Sequence, residues 1–143
     1  MNNNINEILA LLDWNCSQED QKNGIFLAKK TGNIRWFIQP VTPPYSKNVW
    51  ENCAKVICSY SDFELLPYLN DLISWLQDFN WPGAFLIFQR LSFFENKIIM
   101  KKALEKSFEK AVQTKDDVWQ NNIQKLMLTF KNTGDNSVCP TKN

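Results

Sequence analysis

Residues 96–130 read NKIIMKKALEKSFEKAVQTKDDVWQNNIQKLMLTF, and apolar side chains recur in them three and four positions apart. That spacing places the apolar residues on one face of a helix. Asn96 and Asp116 stand where the two patterns begin, and both residue types favour N-cap positions because their side chains accept hydrogen bonds from the first turn. The segment therefore predicts two consecutive amphipathic helices. Their apolar stripes are Ile99, Met100, Ala103, Leu104, Phe108, Ala111 and Val112, then Trp119, Ile123, Leu126, Met127 and Phe130.

Helical signals also dominate the preceding residues. Ser17 is placed to begin one helix and Gly32 to end it in the left-handed conformation. Ser46, Asp62 and the Pro82 turn are the starting points that we predict for later helices, of which residues 82–94 are apolar on nearly every side and should be central. Residues 33–39 could form a strand or one helical turn, and residues 40–45 contain three prolines and predict a loop. No strand pair with hairpin chemistry is indicated, so we predict an all-α fold.

Three short segments recur in the same order along the chain, which indicates an internal duplication. The first copies are LLDWN at 11–15, GIFL at 24–27 and VWEN at 49–52, and the second copies are LQDFN at 76–80, GAFL at 83–86 and VWQN at 118–121. We therefore predict two related halves, residues 5–60 and 62–130, with Trp50 equivalent to Trp119 and Phe26 to Phe85. Related helical units that bury one another's faces form an α-solenoid. About seven or eight helices are expected in this superhelix.

The second half resembles a bacterial domain family of unknown function. The resemblance is carried by WLQDFNWP at 75–82 and by DDVW at 116–119, which match a W-L-x-D-x-N-W-P hallmark followed by a distal D-D-x-W. It covers residues 62–128, and the first half is a more divergent copy. The resemblance implies HEAT-like helical repeats, and it implies no activity, cofactor or catalytic residue.

Length and composition fit one domain without a cofactor. The chain has 143 residues, 44% of them hydrophobic and 13% aromatic, and its formal net charge is +1. We assign residues 1–131 to a single helical-repeat domain and residues 132–143 to a flexible polar tail. The near-neutral charge gives no overall attraction to nucleic acid or to an anionic membrane.

The pattern indicates neither a secretory signal nor a membrane span, because the N-terminus lacks a basic region and the densest apolar run stops at Gln89 and Arg90. The cysteines show no metal-ligand spacing, and without a secretory signal they should be reduced thiols. We therefore predict a cytoplasmic protein with no metal, cofactor or membrane partner. The four cysteines are Cys16, Cys53, Cys58 and Cys139.

Catalytic motifs are scarce. Histidine is absent, which removes the Ser-His-Asp and Cys-His devices, and no phosphate-binding glycine loop is present. Carboxylates remain as acid–base candidates, but each one precedes a turn or lies in a first helical turn, where capping explains it. A small carboxylate-dependent enzyme is therefore one alternative function. Its candidate acids are Glu19, Asp20, Asp78, Asp116 and Asp117.

A lysine-rich helix face supplies a second alternative, nucleic-acid binding. Glu105 and Glu109 are interleaved with these lysines, which is typical of a solvated helix face, and the chain has only two arginines for phosphate or base contacts. We therefore do not expect a nucleic acid as the partner. The face runs from Lys97 to Lys110 and comprises Lys97, Lys101, Lys102, Lys106 and Lys110.

Arg35, Trp36 and Tyr45 are the candidate partner-binding residues. They flank or occupy the proline-containing segment, and Arg, Trp and Tyr are the residue types that most often anchor interfaces. The alternative for Trp36 is that it covers the core beneath this connection. Core packing is expected for most of the tryptophans that stand at helix junctions or on apolar stripes, which are Trp14, Trp75, Trp81 and Trp119.

These observations together predict a non-catalytic, protein-binding helical-repeat module. One concrete version is an immunity or antitoxin-like protein that blocks a partner toxin. The small single domain and the absence of a recognisable active-site motif motivate this version.

Overall fold

The computed structural model describes residues 4–39 and 46–138, with side chains up to residue 130. Eight α-helical segments and no strand occur in these residues, which confirms the all-α prediction for the described chain. The helices are α1 (Ile5–Leu11), α2 (Gln18–Thr31), α3 (Trp50–Cys58), α4 (Asp62–Leu65), α5 (Leu69–Ser74), α6 (Ala84–Ser92), α7 (Lys97–Gln113) and α8 (Asp117–Val138). Short 3₁₀ turns occur at Ile34–Phe37, Lys47–Val49, Leu66–Tyr68 and Trp75–Gln77.

The last helix is longer than the apolar stripe that predicted it. α8 is helical through Val138, beyond residue 131, where we expected the domain to end. Residues 139–143, with Cys139, lie outside the described residues, and so does the predicted loop at 40–45. A continuous apolar run of membrane-spanning length is absent from the described helices.

Most of the predicted caps are present. The Ser17 hydroxyl accepts a hydrogen bond from the Asp20 amide at 3.1 Å, and the Asn96 side chain accepts one from the Ile99 amide at 3.1 Å. Gly32 ends α2 with a φ of 68°, in the left-handed region that glycine adopts without steric cost. These short-range devices are set by sequence, and therefore they could be predicted from it.

The predicted cap at Asp62 is wrong. Ser61 is the N-cap of α4, because its hydroxyl accepts from the Glu64 amide while the Glu64 carboxylate accepts from the Ser61 amide. Asp62 instead accepts from the Arg90 guanidinium at 2.6 Å and from the Glu95 amide at 2.9 Å. The Asp62 carboxylate therefore links the start of α4, by hydrogen bonds, to the end of α6 and to the turn that precedes α7.

The core confirms most of the predicted stripes. Trp75 and Trp119 are buried, each with its indole N–H donating to a backbone carbonyl, of Pro82 and Ile73 respectively. Trp14 is the exception among the four tryptophans for which core packing was mostly expected, because its side chain is 47% exposed. The predicted centrality of residues 82–94 holds only in part. Four apolar residues of these stripes or of that segment are exposed, namely Phe85, Phe93, Ile99 and Val112.

The two halves share a packing order. α1 packs on α2 and α2 on α3; the Trp75–Gln77 turn likewise packs on α6, and α6 on α8. Phe26 and Phe85 are both exposed, at 56% and 60%. The contact between α3 and α6 joins the halves, and at this junction the Gly83 amide donates to the Glu51 carboxylate at 2.8 Å. The described packing is consistent with a duplication, whereas the solenoid arrangement stays a prediction.

Each half contains a buried asparagine whose side chain donates a hydrogen bond to a backbone carbonyl of the same half. The Asn52 side chain donates to the Leu12 carbonyl and the Asn122 side chain to the Leu76 carbonyl, both at 2.7 Å. The counterpart of Asn52 by this contact is therefore Asn122, whereas the matched segments pair it with Asn121. The accepting carbonyls are offset as well, because the matched segments pair Leu12 with Gln77 and Leu76 with Leu11.

We expect Asn52→Ala and Asn122→Ala to destabilise the protein to a similar extent, by about 1–3 kcal/mol each, because each leaves a buried carbonyl without its donor. Urea denaturation measures the free energy of unfolding. Asn121→Ala is the matched control, because Asn121 is exposed on the same turn of α8. An Asn122 variant as stable as the Asn121 variant would contradict this role.

Candidate functional site

The Ile34–Phe37 turn presents a tryptophan to solvent. Residues three apart share a side of a 3₁₀ helix, and accordingly Ile34 and Phe37 are both buried. Trp36 lies on the other side and is 44% exposed. Trp36 is therefore not a core residue, although the pattern of the segment allowed that alternative.

Arg35 is held against the second half of the chain. Its guanidinium lies 3.5 Å from the Asp71 carboxylate and 5.1 Å from the centre of the Tyr68 ring. The Arg35 side chain remains 57% exposed, so the ion pair contributes little to stability. Its consequence is geometric, since the two contacts favour one position of the guanidinium beside Trp36. We call Arg35, Trp36, Tyr68 and Asp71 the Arg35 surface.

Two of the four residues of the Arg35 surface could be predicted from the sequence. Arg35 and Trp36 were identifiable as large side chains in an irregular segment, whereas Tyr68 and Asp71 come from the next helical unit. No local pattern joins residues so distant in sequence. The third predicted residue, Tyr45, lies outside the described residues.

Two of the five candidate acid–base carboxylates accept hydrogen bonds from nearby backbone amides. Asp78 accepts from the Asn80 amide at 2.8 Å and Asp116 from the Trp119 amide at 2.9 Å. Glu19 and Asp20 lie in the first turn of α2. In the part of the chain that is described, no group of three Asp, Glu, Cys or His side chains is arranged to hold a metal ion.

Burial keeps two thiols protonated. It raises the pKa of the Cys53 thiol to about 12, although a hydrogen bond with Gln39 opposes the shift. Burial also raises the pKa of Cys58 to about 11, with Arg90 opposing. At neutral pH neither side chain forms the thiolate that nucleophilic chemistry requires.

The lysine face of α7 is not uniform. The Lys97 ammonium donates to the Phe94 carbonyl at 3.1 Å and lies 4.9 Å from the centre of the Phe130 ring. Lys101 and Lys102 are exposed, whereas Lys106 and Lys110 line a polar groove between α5 and α7. The groove was not predicted, because its two walls lie in different helices.

One comparison with known proteins gives a match. The model of a family described as "Domain of unknown function (DUF5071)" matches residues 47–138, a span that includes α3 to α8 and the WLQDFNWP segment. No curated protein and no solved structure matches the chain. The resemblance noted in the second half thus extends upstream into α3.

Proposed function

We propose that this chain, which belongs to the DUF5071 family of domains of unknown function, acts without catalysis by binding another protein through the Arg35 surface. The observation that carries the proposal is Trp36, a half-exposed tryptophan beside an arginine that contacts Asp71 and Tyr68 while it remains exposed. Tryptophan, tyrosine and arginine supply most of the residues whose truncation weakens protein interfaces.

The contacts of Arg35 reduce the cost of binding. A flexible arginine loses rotamer entropy when a partner immobilises it. Asp71 and Tyr68 already restrict this side chain while leaving more than half of it exposed. A partner carboxylate or carbonyl could therefore reach the guanidinium with little further ordering.

A narrower version of the proposal makes the partner a toxin and this chain its immunity or antitoxin-like protein. An inhibitor of that kind needs a stable scaffold and a preorganised surface rather than an active site. The small helical domain and the Arg35 surface meet both requirements.

The two alternative functions have less support. For the carboxylate enzyme, Asp116 and Asp117 do line a cavity of about 550 Å³ together with Lys110. Asp78 and Asp116, however, each accept a hydrogen bond from a turn or helix amide, which explains these two acids as capping groups. A nucleic-acid site on α7 would need cations unopposed along the face, whereas glutamates alternate with its lysines.

The test measures affinity for a partner identified by pull-down from native lysate. We expect Trp36→Ala and Arg35→Ala each to weaken binding by about 2 kcal/mol, which is roughly thirtyfold in Kd. Trp14→Ala is the matched control, because Trp14 has a similar exposure but lies at the turn between α1 and α2. Thermal melts accompany each variant to verify that the fold is retained.

Two results would contradict the proposal. One is that the Trp36→Ala and Arg35→Ala variants both bind the partner with the affinity of wild type. The other is a measurable turnover that disappears when Asp78, Asp116 and Asp117 are changed to Asn in a folded protein, which would transfer support to the enzyme alternative.

A further inference from the structure

One side of α6 is apolar and open to solvent. Within residues 84–94, all of which the structure describes, the exposed residues are Phe85, Gln89 and Phe93. They are spaced four apart and therefore lie along one side of the helix. Phe85 is 60% exposed and Phe93 is 77% exposed. We call these three residues the α6 face.

The composition of the α6 face is typical of an interface. A helix that is apolar on nearly every side is normally buried, and the centre of a protein interface is rich in aromatic residues and poor in charge. Arg90 supplies the only charge of α6, and its guanidinium is held away from the face by the Tyr60 carbonyl and the Asp62 carboxylate. These features indicate that another surface covers the α6 face.

The α6 face is symmetric about its central residue, Gln89. Phe85 precedes Gln89 by four positions and Phe93 follows it by four. In a two-fold dimer the same patch of both copies meets itself. If two copies of α6 pack antiparallel across an axis at Gln89, Phe85 of each copy meets Phe93 of the other. The face is therefore complementary to a second copy of itself.

The charges beside the face have the same symmetry. Lys55 lies one helical turn after Glu51, whose carboxylate accepts from the Gly83 amide, so Lys55 lies beside the N-terminal end of α6. Glu95 follows the C-terminal end. Both are exposed, and neither forms an ion pair within residues 4–39 and 46–130. The antiparallel arrangement places Lys55 of each copy beside Glu95 of the other.

We propose that the α6 face is the interface of a homodimer, in which two copies of this chain pack α6 against α6 in antiparallel orientation. Phe63 extends the apolar surface, since it is 81% exposed and follows Asp62, which accepts from the Glu95 amide. The exposed parts of Phe63, Phe85 and Phe93 supply roughly half of the ~800 Å² that each partner contributes to a standard interface. We therefore expect a dissociation constant in the micromolar range.

The test is sedimentation equilibrium of the intact chain from ~10 µM to ~1 mM, a range that brackets a micromolar dissociation constant. We expect Phe85→Ala and Phe93→Ala each to weaken the dimer about tenfold or more, because both remove an aromatic from the centre of the interface. Phe26→Ala is the matched control, since Phe26 is 56% exposed on α2, which packs on α1 and α3. Thermal melts verify that each variant is folded.

Exchange of charges tests the antiparallel arrangement. Lys55→Glu and Glu95→Lys should each weaken the dimer, because each places like charges together at both ends of the interface. An equimolar mixture of the two variants should dimerise more tightly than either variant alone, since a mixed dimer has opposite charges at both ends. Damage to the fold of either variant could not be repaired by mixing.

Three results would overturn the proposal. They are a wild-type chain that stays monomeric at the highest concentration, a dimer that both Phe85→Ala and Phe93→Ala leave unchanged, and a mixture of the charge variants that dimerises no better than its components. The inference goes beyond the function proposed for the Arg35 surface. Trp36→Ala should dimerise as wild type does, so the failure of one proposal is distinguishable from the failure of the other.

Discussion

We expect Trp119→Ala to lower the free energy of unfolding by about 3–5 kcal/mol, the usual range when a large buried aromatic is truncated. Trp119 is 3% exposed at the start of α8 and packs in one core with Ile123 and Leu126. Its indole N–H also donates to the Ile73 carbonyl at 3.1 Å, and that buried acceptor would lose its partner. The loss is a large share of the ~5–15 kcal/mol that stabilises a typical domain.

Trp14→Ala is the matched control for this experiment. It removes the same side chain from a position where that side chain is 47% exposed, so less apolar surface is lost from the core and the destabilisation should be clearly smaller than for Trp119→Ala. Chemical denaturation of both variants gives the comparison. If Trp119→Ala were as stable as Trp14→Ala, the indole would not be part of the core, and α8 would have to present it to a partner.

Features that depend on neighbours close in sequence could be predicted, whereas features that depend on contacts between distant segments could not. The caps at Ser17 and Asn96 and the left-handed Gly32 depend on neighbours within a turn, and all three are present. The environment of Trp14 depends instead on how the turn after α1 meets the segment before α3, where the Trp14 amide donates to the Asn48 carbonyl. The expectation that Trp14 is buried rested on its apolar side chain alone, and the packing of the surrounding turns leaves that side chain about half exposed.

The same limit applies to the candidate sites. Arg35 and Trp36 could be selected because they are interface-type residues in an irregular segment. The polar groove lined by Lys106 and Lys110 could not, because its walls come from α5 and α7 and form only when these two helices pack against each other. Asp62 shows the converse, since its sequence position suggested a cap while a distant arginine determines its contacts.

We expect Gly83→Ala to destabilise the protein by about 2–5 kcal/mol, through left-handed backbone strain and overpacking together. Gly83 has a φ of 84°, a conformation that costs little only for glycine. A Cβ atom there would lie 2.8 Å from the Ala54 Cβ and 2.9 Å from the Trp50 carbonyl oxygen. Both neighbours belong to α3, so the added methyl group would separate the two halves at their junction.

Gly32→Ala and Ala54→Gly divide this effect into its two causes. Gly32 has a similar φ of 68° but nothing within 4 Å of an added Cβ, so Gly32→Ala should cost only the backbone strain, about 1–2 kcal/mol. Ala54→Gly removes the facing methyl group and should recover part of the loss when combined with Gly83→Ala, giving a double mutant more stable than the two single effects predict. Urea midpoints of wild type and of these four variants measure both comparisons. If Gly83→Ala costs no more than Gly32→Ala and shows no coupling with Ala54, the halves are not in close contact at this glycine, and the α3–α6 junction cannot be what fixes their relative position.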